Sequence, residues 1–127
     1  KALTSGRGAD VIYDPVGGDL FDQATRCINW KGRILVVGFT SGTIAKYPTN
    51  VALLKGCQLV GVFWGEFRQR EPEVCRQNIA ELFDLFERGA LRPHVSCSYP
   101  LDRYADALNL FLHRQAVGKI VLRAREV

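Results

Sequence analysis

Asp10-Val11-Ile12-Tyr13-Asp14-Pro15-Val16-Gly17-Gly18 is a short apolar run closed by a Pro- and Gly-bearing turn, the pattern of a buried strand that stops abruptly. Downstream, Phe21, Ala24, Thr25 and Ile28 recur at i, i+3, i+4 and i+7. That spacing predicts an amphipathic helix that starts near Asp19 and is broken at Lys31-Gly32. Arg33-Ile34-Leu35-Val36-Val37-Gly38 is apolar without alternation, as expected of a parallel strand covered on both faces. Strand, helix and strand in this order define an α/β layer with a parallel sheet.

Outward from this unit the alternation continues. Thr49-Asn50 is positioned to cap a short helix, Val51 to Lys55, that Gly56 ends, and Gln58 to Phe63 is a third apolar strand. From Trp64 to Glu71 the chain is charged and aperiodic and reads as an irregular connection, with Arg68 and Arg70 in solvent. Pro72 fits the first turn of a helix. Cys75, Ile79, Leu82, Phe83 and Phe86 mark its core face as far as Arg88, and Gly89 stops it.

After Pro93 the period changes to two, with Val95, Cys97 and Tyr99 alternating against His94, Ser96 and Ser98, so His94 to Tyr99 is a half-exposed strand. Asp102 is a candidate cap for a helix with Ala105, Leu108, Phe111 and Leu112 on its inner face, and Lys119 to Leu122 is the last strand. The changed period assigns the last two strands to a different sheet from the first three.

The 127 residues are 47% hydrophobic and carry 17 Lys+Arg against 13 Asp+Glu, a net charge of +4. This composition supports one core and excludes collagen-like and disordered chains. The longest apolar stretches fall far short of the ~20 residues of a membrane helix. The basic residues form no stripe and are not interleaved with aromatics, which points away from nucleic acid. Cys27, Cys57, Cys75 and Cys97 form no C-x-x-C pair and have no His at zinc-site spacing. They read as small hydrophobes in a reducing compartment, hence a cytoplasmic protein. A chain without Met that begins Lys1-Ala2-Leu3 is expected to be a piece of something longer.

In an open α/β sheet a ligand lies outside the carboxyl ends of the strands, here the turns Asp14 to Gly18, Gly38 to Gly42 and Phe63 to Gly65. Glycines there let the backbone approach a flat ring. Neither a G-x-G-x-x-G fingerprint nor a P-loop occurs, and Gly6-Arg7-Gly8 precedes a strand rather than following one. His94 and His113 have no visible partner and read as surface or helix-capping residues. Asp14 reads as a turn former, and Phe63-Trp64 as either core or a ring-stacking platform. No side chain qualifies as a catalytic acid or base, and none as a metal ligand.

Six ordered segments carry a resemblance: Gly8 to Gly18, Lys31 to Phe39, Leu53-Leu54-Lys55-Gly56, Gly61-Val62-Phe63-Trp64-Gly65, Tyr99-Pro100-Leu101-Asp102 and Gly118-Lys119-Ile120-Val121-Leu122. Together they resemble the medium-chain dehydrogenase/reductase superfamily, in its NADPH:quinone oxidoreductase (zeta-crystallin-like) branch. The resemblance implies an α/β fold: the second half of a Rossmann-like parallel sheet with helices, plus C-terminal strands that return to a GroES-like catalytic domain absent from this chain. Residues 1–92 would belong to the dinucleotide-binding domain and 93–127 to the catalytic one.

The resemblance further implies NADPH as cofactor and Gly17, Gly18, Val37, Gly38, Phe39, Thr40, Val62, Phe63, Trp64 and Lys119 as cofactor-binding residues. The implied reaction is zinc-independent hydride transfer to a quinone or activated enone, with this chain alone inactive. The implied assembly is a homodimer joined through the strand Gln58 to Phe63. An enoyl-thioester reductase of the same superfamily is the alternative chemistry. A non-catalytic dimerisation or RNA-binding module is the alternative class.

Overall fold

The computed structural model of the chain describes residues 1–124. Its contacts divide into two compact units, Lys1–Glu71 and the segment from Pro72 onward. In the first, β1 (Ala9–Asp14), β2 (Ile28–Val36) and β3 (Gln58–Gly61) form a parallel sheet in the order β1-β2-β3. In the second, β4 (Val95–Pro100) and β5 (Lys119–Arg123) form a parallel pair of their own. The parallel α/β class and the separation of the last two strands are as the sequence predicts. The long helix α4 (Pro72–Glu87) falls with β4 and β5 in this division, whereas the sequence expectation draws its domain border at 92/93.

The core of the first unit lies on one face of its sheet. Ile34 of β2 is fully buried beside its register partner Ile12, and Phe21 of α1 (Gly18–Cys27) and Val51 of α2 (Thr49–Lys55) close over them with Ile28 and Cys57. Each fully buried large side chain contributes about 2 kcal/mol. The pleat turns Val11 and Tyr13 to the other face, where both are exposed. Within this unit α1 and α2 therefore cover one face of strands whose continuous apolar pattern predicts cover on both.

Two side chains tie the helices to the sheet. The Lys55 ammonium, at the end of α2, donates to the carbonyls of Thr25 (2.7 Å), Arg26 (3.2 Å) and Ile28 (3.4 Å), where α1 runs out of intrahelical partners. The Tyr47 ring packs edge-on against Phe21 at 5.8 Å, and its hydroxyl meets the Cys57 thiol at 3.4 Å. Burial, with the Cys57 contact adding to it, pushes the Tyr47 hydroxyl up from 10.0 to about 12. The folded state thus keeps a proton that the unfolded chain loses first. This contribution to stability is intact below pH 10 and is lost as the pH rises through about 12. Urea midpoints measured from pH 9 to 12 are expected to fall across that window, with a shallower fall in Tyr47→Phe; an identical slope in both would refute the assignment.

Several boundaries differ from the sequence reading, each for a local reason. β2 begins at Ile28, five residues before the predicted Arg33, because Ile28 satisfies the helical period of α1 while already extended, at φ −60 and ψ 139. Lys31, at φ +58, and a register irregularity opposite Ala9 and Val11 mark the break inside the strand. The stretch read as irregular contains a helix, α3 (Trp64–Arg70). It is held by the Glu66–Arg70 pair (2.7 Å) and the Trp64–Phe67 contact (5.4 Å), in a segment too short to show an apolar period. Thr49 and Asn50 lie inside α2 rather than capping it, and Arg103 rather than Asp102 precedes α5 (Tyr104–Leu112).

The helices of the second unit bury less than their patterns predict. In α4, Cys75 is buried, but Ile79, Leu82, Phe83 and Phe86 are exposed and form an apolar groove with Leu91 and Pro93. In α5, Ala107 is buried while Leu108, Phe111 and Leu112 are exposed. That helix is apolar around most of its circumference, so period alone could not choose its inner face. His113 closes α5 with Nδ1 2.8 Å from the Asn109 carbonyl, the capping role expected of it. Of the thiols, Cys57 and Cys75 are buried, Cys97 is half-buried and Cys27 is exposed.

Candidate cofactor cleft

The site is built from three strand ends. β1 stops at Asp14, whose Oδ1 accepts the N–H groups of Val16 and Gly17, both at 2.9 Å. This Asx turn folds the chain into α1 and confirms Asp14 as a turn former. Gly17 is required there: its φ is +69, and a Cβ would stand 2.9 Å from the Phe39 ring and 3.0 Å from the Thr43 carbonyl oxygen.

The loop after β2 is stitched to that turn by four backbone bonds. Val37 N–H donates to Asp14 O (2.9 Å), Thr40 N–H to Pro15 O, Ser41 N–H to Val16 O and Gly18 N–H to Thr43 O (each 3.1 Å). On the opposite side, Val62 N–H donates to Val36 O at 2.9 Å and aligns the end of β3 with the end of β2.

Between these ends lies a cleft of about 390 Å³. Val37, Gly38, Phe39, Val62 and Phe63, all singled out from the sequence, line it together. Val36 and Gly61 line it as well and were missed. Each is the last residue of its strand, two positions before the end expected from the sequence. Gly17, Gly18 and Thr40 carry the stitching behind the cleft. Trp64 opens α3 and tilts against Phe67. Lys119 belongs to the second unit, on β5, where its N–H donates to His94 O at 2.8 Å.

The two lining glycines have different reasons to be glycine. A Cβ on Gly38 would sit 3.3 Å from the Pro15 carbonyl oxygen, a tight contact with the neighbouring turn. A Cβ on Gly61 would meet nothing within 4 Å, and the backbone there is not in the left-handed region. Gly61 lines the cleft, and neither conformation nor packing among the described residues explains its missing side chain. The residues that line the cleft carry no ionisable side chain, so it offers backbone amides, carbonyls, valine side chains and two phenyl rings. Among the described residues, no three His, Cys, Asp or Glu side chains come together as a metal site.

Residues 1–122 match the family described as zinc-binding dehydrogenase, and the chain belongs to that family. It is 39% identical over 127 residues to the quinone oxidoreductase-like protein 2 homolog of Nematostella vectensis, covering 99% of this chain and 35% of that protein. It is 37% identical over 122 residues to quinone oxidoreductase-like protein 2 of Bos taurus, covering 96% and 35%. Among solved structures, a probable oxidoreductase from Mycobacterium abscessus superposes with a TM-score of 0.75 at 33% identity, over 95% of this chain and 34% of that one. The mycobacterial protein Rv1454c, complexed with NADPH, superposes with a TM-score of 0.78 at 26% identity, over 94% and 37%.

The resemblance to the quinone oxidoreductase branch of the medium-chain dehydrogenase/reductases is thereby borne out. The chain spans about a third of the length of the curated relatives it matches. Although the family description names zinc, the described residues offer it no donor set.

Proposed function

We infer that the cleft at the ends of β2 and β3 holds the nicotinamide half of NADPH, as part of a zinc-independent oxidoreductase acting on quinones or activated enones. The observation that carries this reading is Gly61, a cleft-lining glycine with ordinary backbone and open space where a Cβ would stand. The NADPH complex of a structural neighbour and the quinone oxidoreductase names of the sequence relatives support it. When bound, the dihydronicotinamide supplies a hydride, and the acceptor takes up that hydride and one proton from solvent. The chain's own part is orientation: the stitched loop fixes Gly38 and Phe39 on one side, and Val62 and Phe63 close the other.

Calorimetric titration of NADPH into the 127-residue chain is expected to give weak, saturable binding without turnover, since the phosphate-binding fingerprint is absent from its sequence. Absence of any heat at millimolar cofactor would overturn the reading.

The same reading includes homodimerisation through β3, which among the described residues pairs only with β2 and stands at the edge of the sheet. Light scattering is expected to give a dimer mass for the chain and a monomer mass for Val60→Lys, whose charge would sit on that open strand. A monomer in both cases would remove the dimer from the proposal. Cytoplasmic residence also belongs to the proposal; among the described residues, no helix is long and apolar enough to cross a membrane.

A further inference from the structure

Phe63 is a large apolar residue left 74% exposed at the mouth of the cleft. A phenyl ring in water has no reason to keep one position, yet this one has a seat. It lies back over Gly65 in the first turn of α3, where an added Cβ would come 3.1 Å from the ring's Cε2 and 3.6 Å from Cζ. Gly65 is not in the left-handed region. Gly65 stands in the first turn of α3, and a side chain there would crowd the Phe63 ring.

Gly61 and Phe63 both line the cleft, and Gly65 lies under the Phe63 ring. Gly61 clears the slot, and Gly65 lets Phe63 stand as its wall. A fixed phenyl face beside a slot without ionisable groups favours a flat, uncharged, conjugated ring over a flexible or anionic ligand.

We propose that Phe63 is the specificity-determining residue for the acceptor, stacking its conjugated ring at the mouth of the cleft, and that Gly65 is the positioning residue that seats Phe63. This rests on the cofactor reading for the meaning of the word acceptor, but not for the binding itself. Phe39, 43% exposed on the opposite side, completes the aromatic frame.

The test uses 2,3-dimethyl-1,4-naphthoquinone, whose blocked ring positions keep it from adding to the exposed Cys27 thiol. Binding is followed by equilibrium dialysis with and without saturating NADP⁺, which cannot reduce the probe. Loss of one ring-on-ring contact is expected to weaken binding about five- to tenfold in Phe63→Ala, while Phe63→Tyr keeps it. Gly65→Ala, whose Cβ the ring must clear by a few tenths of an ångström, is expected to weaken binding by less than Phe63→Ala does, while leaving α3 intact.

Equal naphthoquinone affinity in the parent chain, Phe63→Ala and Gly65→Ala would overturn the inference. Loss in Phe63→Ala with none in Gly65→Ala would overturn the positioning role alone. Should NADPH fail to bind while the naphthoquinone pattern holds, the cofactor reading falls and the stacking assignment stands.

Discussion

Gly61→Val is expected to weaken NADPH binding by about fivefold to a hundredfold, without lowering the melting temperature. Filling a slot that a ligand must enter costs about 1–3 kcal/mol, and every 1.4 kcal/mol is a factor of ten in affinity. The fold has no objection to the same methyl groups, since nothing in the chain lies within 4 Å of the new Cβ. Glycine is also a poor strand residue and valine a good one, so a gain of about 0.5–1 kcal/mol in stability accompanies the loss of binding. Calorimetry and thermal melting on the same preparations separate the two effects. Unchanged affinity would mean that the slot is not where the nicotinamide lies. A lowered melting temperature would mean that the space over Gly61 is needed by the chain itself.

Lys55→Met carries the largest expected cost in stability, about 1–2 kcal/mol, since a charged donor is worth about 1.5–3 kcal/mol and contacts that are at most partly buried give up some of that. Methionine keeps the length and packing of the aliphatic stem, so the loss reports on the ammonium. Thr25 O, Arg26 O and Ile28 O would be left without their donor at the point where α1 passes into β2. Urea titration is expected to show a lower midpoint with an unchanged slope, and Lys55→Arg is expected to recover part of the difference. A change within about 0.5 kcal/mol, the range of ordinary surface substitutions, would show that water replaces the ammonium without loss.

The strands were legible because their signal is local and strong. Arg33 to Gly38 and Gln58 to Phe63 are continuous apolar runs, and β2 and β3 occupy most of each. Helix α3 was not legible, because seven residues bearing Glu66, Arg68 and Arg70 cannot show a period. What holds it is an ion pair and a ring contact visible only once the chain is folded. The burial of α4 and α5 was misread for a different reason: an apolar stripe states which face a helix offers and not what covers it. Leu82, Phe83 and Phe86 offer such a face and remain exposed.

At the cleft, the rule that ligands lie beyond carboxyl strand ends found Gly38, Phe39 and Phe63, and the family likeness added Val37 and Val62. It overlooked Val36 and Gly61 because strand ends cannot be located to within a residue by composition. Lys55, by contrast, sits in a motif noticed for its likeness, and nothing in Leu53-Leu54-Lys55-Gly56 announces that its ammonium reaches back to residues 25–28.

The four backbone bonds from the loop after β2 to the turn after β1 have a thermodynamic consequence. The ordering of Val37 to Thr43 is completed during folding, so little configurational entropy is left to be lost when a ligand arrives. Association should therefore be quick and show only the modest heat-capacity change of a small apolar contact, without the larger signature of coupled folding. The same stiffness removes any means of accommodation: a side chain introduced into the slot cannot be relieved by the loop stepping aside, and evolution of new ligand preferences in this fold would have to proceed through the residues on the rim.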